Sequence, residues 1–239
     1  SGVGSLLPLI HLTPYSRFRQ IADCGYLAPQ PCSVLGENIL YCSYADTVFR
    51  PSGKQRVWSA DAPVALVLSP TILNRTYRFL PLDTGAIRSG RVPWFPNGKR
   101  YNLVTLFGVK DMGGVRLGRW VKRFFGGNTN YLSRKVQSQQ HQTDEEILIA
   151  DLCSGVSDTG LPDHTRDDMR VISQVECHFF DKLKLDNYLL HVFVHADELT
   201  NTEMLLGGRA FVTPYFDQPI DGNLPFDLVK KVRAMTHPD

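Results

Sequence analysis

Nowhere in the 239 residues does an apolar run approach the ~20 positions that a membrane-spanning helix needs. The first stretch, Ser1 to Leu9, has neither the basic start nor the long apolar core of a secretion signal. These absences set the expectation of a soluble, cytoplasmic protein with no membrane partner. Cysteine is scarce: Cys24, Cys32, Cys42, Cys153 and Cys177 are odd in number and form no CxxC pair. No suitably spaced histidine follows the upstream three, which disfavours a zinc knuckle, and the length of the chain disfavours a disulfide framework. Free buried thiols in a reducing compartment are expected instead. HExxH and Walker-type phosphate loops are missing, and Gly113-Gly114 and Gly126-Gly127 have the wrong spacing to replace one. There is no internal repeat and no low-complexity tract. A formal net charge of only +2 means that any surface for a polyanion must be local.

What is present is ordinary material for a core: 43% hydrophobic and 21% charged residues. One domain over residues 1–239 is expected, with a basic insertion around 110–142. Leu9 to Leu12 reads as a short strand ending at Thr13-Pro14. Tyr15 to Cys24 places Phe18, Ile21 and Ala22 at helical spacing, with Gly25 as the C-cap. Leu27 to Pro31 resumes extended structure. Asn38 to Tyr44 and Ala62 to Leu68 read as strands. Residues 70–110 read as loops and short irregular pieces, with a further strand candidate at Tyr101 to Val109. Helical periodicity returns at Glu145 to Leu152 and in a short helix at Pro225 to Met235, and Gly155 to Asp168 is a polar loop. Met169 to Phe180 and Tyr188 to Val194 are two clear strands on a short link, so an antiparallel pair is expected. No βαβ alternation is visible, which favours an α+β fold.

Charge is unevenly distributed. Lys110, Arg116, Arg119, Lys122, Arg123, Arg134 and Lys135 face the single acid Asp111, and the following stretch from Asp144 to Asp168 is acidic. Val115 to Phe125 reads as a basic amphipathic helix closed by Gly126-Gly127. Its cations, with Trp120, Phe124, Phe125 and Tyr131, suit a single-stranded nucleic acid, whose bases stack and whose phosphates meet the charges. The simpler reading keeps the aromatics in the core and the cations in water. Docking against the acidic run is a third.

Three local features could carry chemistry: His11-x-Thr13, the tyrosines Tyr41 and Tyr44 leading to Phe49-Arg50-Pro51, and Gln174-Val175-Glu176 inside an apolar strand. A carboxylate there must be solvated, paired with Arg166 or Arg170, or aimed into a cleft. Taken singly, His11 is a packing histidine and the tyrosines are core aromatics.

Taken in order, these features resemble the ADP-ribosyltransferase superfamily, and within it the DarT-type enzymes that modify DNA bases. The resemblance covers residues 8–70 and 166–195, and the middle and tail do not match. It implies an α+β fold with two small β-sheets splayed at a steep angle around an NAD cleft, with flanking helices. NAD would be the co-substrate and no metal would be needed. His11 and Thr13 would hydrogen-bond the nicotinamide ribose. Tyr41 or Tyr44 would stack on the nicotinamide. Arg50, or alternatively Arg17, would meet the NAD phosphates. Glu176 would bind the ribose 2′-hydroxyl and stabilise charge at the anomeric carbon. The implied activity is transfer of ADP-ribose to a macromolecule, nucleic acid before protein, with Arg119, Lys122 and Arg123 on the acceptor. By family analogy the protein would be a toxin or defence effector with an inhibitory or antitoxin partner. An NAD glycohydrolase using the same cleft, and a non-catalytic nucleic-acid- or protein-binding module, are the alternatives.

Overall fold

The Leu9–Pro14 segment forms β1 at the middle of the main sheet, and its two neighbours treat it differently. On one side β5 (Pro63–Leu68) pairs with it antiparallel along its entire length. On the other, β4 (Glu37–Tyr44) pairs with it only at Leu9↔Tyr44 and Ile10↔Ser43. The structure is a computed structural model that describes residues 5–46, 61–75, 78–81, 84, 109–110, 114–133, 135–137, 150, 175–216 and 225–237.

Outward from β4 come β8 (Glu176–Phe179), β6 (Arg78–Leu80) and β7 (Val109–Lys110). Outward from β5 come β10 (Leu189–His195) and β11 (Phe211–Tyr215). β3 (Gln30–Cys32) adds to the start of β4, and β2 (Tyr26–Leu27) forms a separate ribbon with β9 (Leu183–Lys184). The protein is therefore mixed α+β, with one large mixed sheet, a small two-stranded one and flanking helices.

The alternation of side chains builds two cores. Every β5 residue is buried, as expected for a strand covered on both faces. Val64, Leu66 and Leu68 join the larger core, with Leu9, Leu40, Cys42, Cys177 and Phe179. Ala65 and Val67 join the smaller, with Ile10, Phe193 and Tyr215. Helix α1 (Tyr15–Cys24) supplies Phe18, Ile21 and Ala22 to the larger core and ends on Gly25, whose φ of 72° is the left-handed cap. Helix α2 (Val115–Phe125) and the short α3 (Asn128–Leu132) pack on the same face.

Two sequence expectations fail here. Met169–Phe180 and Tyr188–Val194 do not form a hairpin, because β8 and β10 lie in opposite halves of the sheet. Leu183–Lys184 is engaged by β2, and a helical turn α4 (Leu185–Tyr188) carries the chain across. The second concerns βαβ alternation. β10 and β11 are parallel neighbours joined through helix α5 (Leu199–Leu206), and helix α6 (Phe226–Thr236) then covers the smaller core. Of the four cysteines among the described residues, Cys42 and Cys177 are buried, but Cys24 is exposed. Most of the Tyr101 to Val109 strand candidate, most of the 145–152 helix, residues 169–174 and the loop at 155–168 lie outside the described residues. No helix among the described residues is long and apolar enough to cross a membrane.

Candidate functional site

Past Ile10 the chain of β1 leaves β4, and a cleft opens in the gap. The first β1 residue beyond the shared ladder, His11, reaches back so that its Nδ1 lies 2.8 Å from the Tyr41 carbonyl oxygen. Helix α1 starts directly after β1 and roofs the gap, and the Gly25 turn returns the chain through β2 and β3 to the start of β4. The resulting cavity, about 380 Å³, lies in the range of small-molecule sites. Its walls include His11, Thr13, Arg17, Gln20, Tyr41 and Ser43.

A carbonyl can only accept, so the neutral His11 ring carries its proton on Nδ1, which donates to Tyr41, and keeps Nε2 as an acceptor. Burial lowers the His11 pKa, with a smaller contribution from the Arg17 charge, and the Tyr41 carbonyl opposes it. The ring is therefore neutral at pH 7, able to accept from a ligand hydroxyl. A depressed histidine pKa means that the unfolded chain binds more protons below its own value of 6.5. The contribution of His11 to stability is thus complete above that pH and is lost as the pH falls through the folded value. His11→Asn keeps a side chain that can reach the carbonyl but does not titrate there. The wild-type minus variant difference in melting temperature should narrow as the pH drops below 6.5. His191, also lowered by burial, cancels in that difference.

The other expected ligand-binding residues divide. Thr13 is buried on the cleft wall. Tyr41 is half-buried there, with its hydroxyl on Cys32 Sγ. Tyr44 is corrected: it is fully buried in the larger core, accepting from the Leu7 amide at 3.0 Å and donating to Asn128 Oδ1 at 3.3 Å. Strand alternation is the reason, since Tyr41 and Tyr44 are three apart and so point to opposite faces. Arg50 lies outside the described residues, whereas Arg17 is exposed on the cleft rim.

Glu176 does not line the cleft. It sits one strand behind, directly opposite the wall residue Ser43. By register His11 and Glu176 face opposite sides of the sheet, because Ile10, the neighbour of His11 on the uninterrupted β1, shares Ser43 as a partner with Glu176. Tyr41 and Ser43 of β4 stand between them. The Glu176 charge reaches Tyr41: after burial, it is the next cause that pushes the Tyr41 phenol well above its ordinary pKa.

Among the described residues the partners of Glu176 are His178 and Thr84; the expected partners Arg166 and Arg170 lie outside the described residues. Oε1 accepts from His178 Nε2 at 2.5 Å and from the Thr84 hydroxyl at 2.9 Å. Oε2 meets the Thr84 amide at 3.4 Å. Behind His178, Arg78 Nε donates to Nδ1 at 2.9 Å, and the Arg78 guanidinium pairs with Glu37. That pair holds the Glu37 carboxyl below its usual range. Glu37, Arg78, His178 and Thr84 were missed. One signal was available: in a strand Glu176-Cys177-His178 puts Glu and His on one face. Nothing local marks Arg78 or Thr84, which arrive from distant segments.

Of the acceptor candidates on α2, Arg119 and Lys122 are exposed and Arg123 is half-buried. For the neighbouring aromatics the simpler of the expected readings holds: Trp120, Phe124, Phe125 and Tyr131 are buried in the larger core, so they offer no face to a nucleobase. Among the described residues no group of three or more His, Cys, Asp or Glu side chains is arranged around a metal-sized point. No protein-family model, no curated protein and no solved structure matches the chain.

Proposed function

We propose that the protein binds NAD in the β1–β4 cleft and transfers its ADP-ribose to a macromolecular acceptor, nucleic acid in preference to protein. The observation that carries this reading is the parting of β1 from β4, with His11, Thr13 and Tyr41 on the cleft wall and a held carboxylate, Glu176, one strand behind. The fit to a dinucleotide end is chemical. His11 offers an acceptor for a ribose hydroxyl, Tyr41 an aromatic face, and Arg17 a cation at the rim for phosphate.

In the reaction the glycosidic C–N bond of NAD breaks. Nicotinamide leaves with the bonding pair, which neutralises its ring charge. The anomeric carbon becomes oxocarbenium-like, as in glycoside cleavage. The acceptor then donates an electron pair to that carbon and loses its proton to water. Glu176 contributes a fixed negative charge that counts mostly in the transition state, which is where an interaction lowers the barrier. A hydrolase would run the same first step and use water as the acceptor. Scoring free against macromolecule-linked ADP-ribose after incubation with NAD separates the two, and the transferase reading expects the linked form to dominate once the acceptor is present.

The acceptor would meet the exposed cations of α2. Replacing Arg119 and Lys122 together by Glu should weaken modification and flatten its salt dependence while leaving NAD affinity unchanged, because these residues lie outside the cleft walls. A modification rate equal to wild type at every salt concentration would reject this surface. A toxin or defence role, with an inhibitory partner covering the cleft, is the biological setting we attach to this activity.

A further inference from the structure

We infer that His178 is a positioning residue for Glu176, and that Arg78 acts behind it by fixing the tautomer in which His178 can do so. The inference rests on the catalytic role proposed for Glu176 and assigns how that carboxylate is held.

The chemistry of the donors allows one arrangement. Arginine remains protonated and has only donors, so the Arg78 Nε–H bond makes His178 Nδ1 an acceptor. The ring proton of the neutral imidazole must then sit on Nε2, and it points at Glu176 Oε1. Both ring nitrogens are used, and the ring is completely buried. The ring also makes a T-shaped contact with Tyr41 at 4.9 Å between centroids. Arg78, with its side chain 3% exposed, is balanced by Glu37, so the guanidinium can sit inside without adding net charge.

The consequence falls on Glu176. Two donors, His178 and Thr84, converge on Oε1, whereas Oε2 meets only the long Thr84 amide contact among the described residues. One oxygen anchors the carboxylate. A carboxylate held in this way does not have to reorganise when charge develops nearby, which is what makes such a group effective.

Three substitutions separate positioning from simple structural support. In His178→Gln the amide nitrogen reaches the place of Nε2, so a donor to Glu176 survives while the acceptor for Arg78 is weakened. In His178→Asn the carbonyl oxygen takes the place of Nδ1, so Arg78 stays satisfied while the donor to Glu176 is lost. His178→Ala loses both. The expected result is that Gln retains most of the kcat for nicotinamide release, whereas Asn and Ala lower it on the order of ten- to a hundredfold, as loss of an orienting outer contact does. KM for NAD should move little. The opposite ranking, Asn active and Gln inactive, or a kcat that simply follows melting temperature, would overturn the inference. A wild-type protein that releases no nicotinamide counts against the transferase reading, and the positioning contact is then read from histidine-labelled protein by 15N NMR. Its signature is a His178 proton on Nε2 whose resonance shifts in Glu176→Gln; a proton on Nδ1, or no shift, would overturn it.

Discussion

Glu176→Gln should reduce nicotinamide release from NAD by on the order of a hundredfold or more, the usual effect of removing one preorganised electrostatic partner. The fold should survive, because Gln keeps nearly the same shape. Its carbonyl oxygen can still accept from His178 and Thr84, as Oε1 of Glu176 does now. What Gln cannot supply is negative charge beside a developing oxocarbenium ion. NAD affinity and melting temperature should therefore change little while turnover collapses. A carboxylate that served only to satisfy His178 and Thr84 would leave both activity and stability near wild type, because Gln still accepts from both. Near-normal release by a well-folded Glu176→Gln protein would remove the carboxylate from the mechanism.

The second large effect is on stability and separates the two tyrosines of β4. Tyr44→Ala should cost about 3–5 kcal/mol, the range for truncating a buried aromatic. The ring is fully buried 5.4 Å from that of Tyr131, and its hydroxyl bridges the Leu7 amide and Asn128. For a chain of this size that corresponds to a melting temperature lower by roughly 6–20 °C. Tyr41→Ala removes a half-buried ring on the cleft wall, so it should spare most of the stability and weaken NAD binding instead. Calorimetry and NAD titration on both variants check the pair. A Tyr44→Ala protein of normal stability that had lost NAD binding would reverse the assignment.

How far the sequence could lead is visible in particular segments. Helix α1 and its Gly25 cap were legible because apolar spacing and a left-handed glycine are local signals. Strand β5 and helix α2, with its buried apolar stripe, were legible for the same reason. The partner of β8 was not. Which strand sits beside Glu176–Phe179 depends on where Leu183–Lys184 and Leu185–Tyr188 take the chain, and those short elements carry almost no pattern of their own. The parallel β10–β11 unit was hidden because Leu199–Leu206 is short and Phe211–Tyr215 contains a proline. At the site, the residues of continuous motifs, His11, Thr13, Tyr41 and Glu176, could be nominated from sequence. The network behind Glu176 could not, since Arg78 and Thr84 meet it only through long-range sheet pairing and loop placement. The choice between Tyr41 and Tyr44 was decidable by strand parity, and only the register showed which parity faced the cleft.

The most direct test of the proposed activity is incubation of the purified protein with NAD labelled in its ADP-ribose portion, together with separate pools of DNA, RNA and protein. Nicotinamide release should be accompanied by covalent label in a nucleic-acid pool, with both lost in Glu176→Gln. Intact NAD after incubation with all three pools, and label in none of them, would contradict it.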